Sequence, residues 1–141
     1  MKTISKIFVI MIIFFFINGV KIFSQNNERP LLITSFNMVS LSDMGKVNKM
    51  LDSVFAPILN KLVDDGFLIS WGQFTHLWGD EWNFNFYYIA KDLESFDKFW
   101  NEYVTRVSKK FPDAFPNTAK YFQAHKDNIY TLRTRYPSLQ N

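Results

Sequence analysis

The residues best equipped for chemistry lie in one stretch: Trp71-Gly72-Gln73-Phe74-Thr75-His76-Leu77-Trp78-Gly79-Asp80-Glu81-Trp82-Asn83. A Gly-Asp pair suits a two-residue hairpin loop. With Gly79-Asp80 as that loop, Trp78 pairs with Glu81, His76 with Asn83, Phe74 with Asn85 and Gly72 with Tyr87. His76, Asn83, Asn85 and Tyr87 then share one sheet face with Phe74 and Trp78. An imidazole, two amides and a phenol against aromatic walls suit a small planar or carbonyl-bearing ligand. The imidazole, with an ordinary pKa of about 6.5, is the candidate general base. A three-residue loop would slip the register by one, set His76 opposite Phe84 and change every partner. The plainer reading is a packed, hydrogen-bonded histidine, with asparagines closing strand ends and tryptophans in a core or subunit contact.

The other histidine, His125, falls in an apolar stripe and reads as a core histidine with a satisfied donor. Two histidines without any cysteine make a poor metal signature, because zinc sites need three or four convergent ligands. No metal or cofactor is therefore expected. No nucleophile elbow is present, and five glycines supply no phosphate-binding loop.

Several elements must position these residues. Leu31 to Ser40 reads as a strand. Ser42 suits a helix N-cap, and Val47, Leu51, Val54, Ile58 and Leu62 recur as one helical face. Pro57 should kink that helix or open one hydrogen bond, and Gly66 is a plausible stop. Phe67 to Trp78 and Trp82 to Ala90 read as the two strands of the hairpin. Asp92 caps a second helix with Phe96, Phe99, Trp100, Tyr103 and Val107 inward, ended by Pro112. Phe122, His125, Ile129, Leu132 and Tyr136 step by three and four, which favours a third helix starting near Asn117. On such a helix Asp127 points away from His125. The run Ile129 to Tyr136 has strand-like composition, so a final strand is the alternative.

Strand, helix, strand, strand, helix makes an α+β chain whose order resembles a ferredoxin-like βαββα(β) unit. Over roughly residues 31–110 it resembles the dimeric α/β-barrel superfamily, by topology only. The resemblance implies an antiparallel sheet with helices on one face. It also implies a second subunit on the other face and a ligand cavity between the subunits. Relatives of that kind include small monooxygenases, isomerases, haem-degrading proteins and stress-induced barrels. No catalytic motif of the superfamily maps onto this chain. The residues independently favour a sheet buried on both sides. On the second hairpin strand Trp82, Phe84, Phe86 and Tyr88 point one way, and Asn83, Asn85, Tyr87 and Ile89 the other.

Lys2 and Lys6 precede eleven apolar residues, Ile7 to Ile17, and Ser24 is a fitting cleavage point. Residues 1–24 read as a signal peptide, residues 25–141 as a single domain, and the location as secreted or periplasmic. The apolar run is shorter than the roughly 20 residues a membrane helix needs, so no membrane association is expected after cleavage. Lys2, Lys6 and Lys21 belong to the leader, which leaves 13 basic against 13 acidic residues. That balance, without a basic patch, argues against nucleic acid. Five of the 16 phenylalanines belong to the leader, yet the remainder is still rich in aromatics. The excess points to an apolar interface or pocket beyond the core.

These features favour a cofactor-free, small-ligand-binding homodimer for a hydrophobic or aromatic molecule. The candidate ligand residues are Phe74, Trp78, Asn83, Asn85 and Tyr87. A cofactor-independent monooxygenase or isomerase using His76 is the enzymatic alternative. A structural or protein-interaction domain without a pocket is the third.

Overall fold

The computed structural model describes residues 29–134 apart from Leu77 and Asp80. The leader and the stretch beyond Thr134 lie outside it, and the Gly79-Asp80 turn is described only in part. Among the described residues, four strands and four α-helices follow in the order β1 (Leu31–Val39), α1 (Met44–Met50), α2 (Ala56–Asp64), β2 (Ser70–Phe74), β3 (Phe84–Ala90), α3 (Leu93–Lys110), α4 (Ala114–Ala119) and β4 (Phe122–Thr131). The sheet is fully antiparallel with order β2-β3-β1-β4, the ferredoxin-like arrangement expected.

The first helix departs from regularity where its proline lies. A π-helical turn, Leu51–Phe55, joins α1 to α2, and Pro57 falls in the first turn of α2. Proline has no N–H to offer the preceding turn, so the ladder widens there and restarts where a missing donor costs little. The helix begins at Asp43 rather than Ser42. Ser40 shapes this entry, its hydroxyl donating to the Asp43 carboxylate at 2.9 Å and its carbonyl accepting from the Asp43 and Met44 amides. At the far end Gly66 has φ +80°, and the Phe67 and Gly66 amides donate to the Leu62 and Val63 carbonyls. This is the glycine-stopped helix end that the sequence suggests. Helix α3 is capped as expected, the Asp92 carboxylate accepting from the Ser95 amide at 2.7 Å.

The hairpin register follows the two-residue-loop pairing over its laddered part, with Phe74 opposite Asn85 and Gly72 opposite Tyr87. Both strands are shorter than Phe67–Trp78 and Trp82–Ala90, because the chain ahead of β3 is tied to β1 instead. The Asn83 amide N–H donates to the Asn37 carbonyl, and its side chain exchanges two bonds with the Val39 backbone at 2.9 and 2.8 Å. Gly72 makes room for the Tyr87 side chain. A Cβ there would come within 2.7 Å of the Tyr87 hydroxyl and closer to its ring, which lies across β2. Gly72→Ala should displace the Tyr87 ring while leaving the helix-side core intact. Altered chemical shifts confined to β2 and β3, with a melting temperature within a few degrees of wild type, would bear this out.

The end of the chain corrects the helix expectation. After the short α4, residues 122–131 form β4, which pairs with the outer edge of β1 from Leu31↔Thr131 to Met38↔Ala124. Without that strand β1 would present an open row of backbone donors and acceptors. The spacing of three and four among Phe122, His125 and Ile129 is incidental, and the β-prone Ile-Tyr-Thr run decides. Between Met38 and Val39 the register shifts, so that Val39 faces Phe122. The shift brings Phe122 to the inner face, 6.1 Å from the Phe84 ring.

The core lies between one sheet face and the helices. Ile33, Val39, Phe84, Tyr88 and Ala90 from the sheet meet Val47, Leu59, Leu62, Phe99, Tyr103 and Val107. The other face carries Leu32, Thr34, Phe36, Asn85, Tyr87, Ile89 and Tyr130, as the register requires, and none of them joins that core cluster. No helix among the described residues is long and apolar enough to cross a membrane.

Candidate functional site

Between the inner sheet face and the helices lies a half-open cavity of about 370 Å³. Its floor is Ser35 and Asn37 from β1, Phe84, Phe86 and Tyr88 from β3, and Phe122 and His125 from β4. Leu51 and Phe55 of the π turn, Trp100 and Tyr103 of α3, and Phe115 and Thr118 of the α4 segment complete it. Ser35 explains much of the space. It is the small residue on the inner row of β1 between Ile33 and Asn37, where a larger side chain would reach into the cavity.

The walls are held by aromatic contacts. Along β3 the Phe84 and Phe86 rings meet edge-on at 5.1 Å, and Phe86 stacks on Tyr88 at 6.5 Å. Phe99, fully buried in α3, touches Tyr88 at 5.5 Å and stacks on Tyr103 at 5.8 Å. Burial pushes both phenols well above the usual tyrosine range, so each stays a protonated donor. Secondary contributions come from the negative charge of Asp127 on Tyr88 and from Tyr88 on Tyr103.

A polar rim stands at one side. Asn37, 1% exposed, donates from Nδ2 to the Phe84 carbonyl at 2.9 Å, which fixes its amide orientation. Its Oδ1 therefore faces His125 Nδ1 at 2.8 Å, and Nδ1 carries the proton. His125 Nε2 lies 3.0 Å from Asp127 Oδ2, a carboxylate oxygen that only accepts, so this contact is a hydrogen bond in the form of the ring that carries a proton on Nε2 as well. Both ring nitrogens thus face an oxygen, and the imidazole is a fixed, half-exposed wall of the site. Asn37 is the buried centre of this rim. Asn37→Ala would strip partners from the Phe84 carbonyl and the His125 N–H, which should cost about 1–3 kcal/mol. Urea denaturation measures it, and a loss below about 0.5 kcal/mol would contradict the assignment.

None of the six residues singled out from the hairpin lines this cavity. His76 and Trp78 lie in the exposed segment beyond β2, Trp78 being 96% exposed. Phe74 and Tyr87 are on the outer sheet face, Phe74 edge-on to Phe36 at 5.9 Å. Asn85 is buried between strands. Its Oδ1 accepts from the Asn37 amide at 3.2 Å and its Nδ2 donates to the Trp82 carbonyl at 2.6 Å. Asn83 bonds the Val39 backbone. The two amides are committed to backbone groups. Sequence patterns mark none of the residues that do line the cavity as a site. His125, Tyr88 and Tyr103 read as inward-facing core, and Asn37 carries no signal beyond its strand. The cavity is lined by residues of a single chain.

No protein-family model matches the sequence, and no curated protein matches it. Solved structures match the fold. One is a NIPSNAP family protein with unknown function from Agrobacterium tumefaciens, with TM-score 0.63 and 10% identity over 81% of this chain and 96% of that one. Another is a dimeric ferredoxin-like protein from an uncultured marine organism, with TM-score 0.61 and 14% identity over 79% and 93%. A third is a variant of SnoaB, a cofactor-independent oxygenase from Streptomyces nogalater, with TM-score 0.51 and 10% identity over 79% and 99%. At such identities the likeness concerns the backbone, and it establishes an α+β ferredoxin-like fold for this chain.

Proposed function

We propose that this chain is an exported small-ligand-binding domain that works as a homodimer and holds a hydrophobic or aromatic molecule between its sheet and its helices. The observation that carries the reading is the aromatic-walled cavity of about 370 Å³, within the range of small-molecule sites. Export rests on the basic and apolar leader with its Ser24 cleavage point. Dimerisation rests on the outer sheet face, where Leu32, Phe36, Tyr87 and Ile89 form a patch outside the core, and Phe74 and Tyr87 belong to that contact in this reading. A named neighbour is itself described as dimeric. The cavity also speaks against a purely structural domain, which needs no such space.

Equilibrium dialysis against fluorene, a flat tricyclic hydrocarbon, tests the reading. The exported protein should take up one fluorene per subunit, saturably. Ser35→Phe, which fills the floor, should abolish uptake while the protein still melts cooperatively. Absence of uptake, or uptake unaffected by Ser35→Phe, would overturn it.

A further inference from the structure

The cavity is not uniformly apolar, and its polar groups are selective in kind. Tyr88 and Tyr103 both line it, and each residue is more than nine-tenths buried. Every other polar group on the rim has a partner. Asn37 bonds Phe84 and His125, His125 bonds Asp127, and Thr118 donates to the Ala114 carbonyl at 2.8 Å. The Tyr88 and Tyr103 hydroxyls have no protein hydrogen-bond partner among the described residues. Neither oxygen is among the sealed, unpartnered polar atoms of the described residues, so both are open to water, and an acceptor on a guest would replace that water with a hydrogen bond in a less polar setting. Phe99 and Trp100 lie against both rings, at 5.5 to 6.5 Å, and keep them on one wall.

The geometry points to Tyr88 and Tyr103 as a paired hydrogen-bond donor site that selects an uncharged, flat apolar guest bearing an acceptor oxygen, such as a ketone. The inference rests on the cavity being the ligand site. Charge supports neutrality of the guest. No lysine or arginine lines the cavity, and Asp127 presents its carboxylate at the rim beside His125. A carboxylate guest would meet that negative charge without a free cation to receive it. A hydrocarbon would fill the space and leave both donors unanswered.

Three probes of similar outline separate the possibilities: fluorene, 9-fluorenone and fluorene-9-carboxylate, each dialysed against the exported full-chain product. Fluorenone should bind about 10-fold more tightly than fluorene, the factor expected for one well-made buried hydrogen bond, and the carboxylate least tightly of the three. In the Tyr88→Phe/Tyr103→Phe double variant the affinity for fluorene should be unchanged, and the preference for fluorenone should fall to less than about 3-fold. The infrared carbonyl stretch of bound fluorenone should be shifted to lower frequency in the wild type and return toward its hydrocarbon-solvent position in the variant. Fluorene bound as tightly as fluorenone would overturn the donor site while leaving the binding function in place. A ketone preference that survives the double substitution, or tightest binding of the carboxylate, would overturn it as well. If no probe binds, the binding function falls and the donor site with it. Should the variant fail to fold, the wild-type carbonyl stretch decides, and an unshifted band contradicts the proposal.

Discussion

Alanine in place of Phe99 should lower the unfolding free energy by about 3–5 kcal/mol. Phe99 is fully buried, and its ring touches Phe96, Tyr88, Trp100 and Tyr103 at 5.5 to 6.4 Å. Truncation loses the transfer energy of the ring and leaves a void that neighbours on a capped helix and a paired strand cannot fully close. Domains of this size have a total stability of about 5–15 kcal/mol, so the variant should be near the limit of folding at 37 °C. The same change removes the support behind Tyr88 and Tyr103, so binding in the adjoining cavity should weaken as well. Trp100→Ala is the control. That side chain is 43% exposed and should cost clearly less than Phe99→Ala. Urea denaturation of both variants decides it, and a Phe99→Ala loss below about 1.5 kcal/mol would show that the helix-to-sheet packing is not as described.

The second large effect belongs to the outer sheet face. Ile89→Lys should convert the proposed dimer into a folded monomer, weakening association by at least about 100-fold. Ile89 lies on β3 beside Leu32 of β1 and Ser70 of β2, and Tyr87 and Phe36 continue the apolar surface. A lysine in such a contact must lose its hydration without gaining a counter-charge. The existing cation in this region is differently placed. Lys126 lies over the Phe36 and Trp82 rings, at 5.2 and 4.2 Å, where its ammonium keeps favourable ring contacts. Sedimentation equilibrium with circular dichroism reads both halves of the prediction. A wild-type monomer at micromolar concentration would remove the interface, and an Ile89→Lys variant that remains dimeric would place it elsewhere.

Much of the architecture was legible because it is written in local patterns. Asp92 and Pro112 bracket α3, the helical stripe from Val47 to Leu62 buries one face, and the alternation along residues 82–90 sorts the two sides of β3. The hairpin register was legible as well, over the pairs Gly72–Tyr87 and Phe74–Asn85. Its tip was not, because Asn83 bonds to β1, a partner some 44 residues away, and no local rule foresees that exchange. The last strand was obscured by a helical spacing that β4 happens to carry, and the same spacing hides the rim of the site. On a helix His125 and Asp127 diverge, whereas on a strand residues i and i+2 share a face, and here they are hydrogen-bonded. Tyr88 and Tyr103 were legible as inward-facing. That the space between them and Ser35 stays open depends on how far the π turn and α4 stand from the sheet, which is a tertiary property.

The account turns on which side of the sheet receives the guest. Nuclear Overhauser contacts from protons of bound fluorene to assigned side chains measure this directly. Contacts to Leu51, Phe86 and Phe115 are predicted, since these residues line the cavity. Contacts to Leu32, Phe36 and Ile89 instead would place the guest on the outer face and contradict the account.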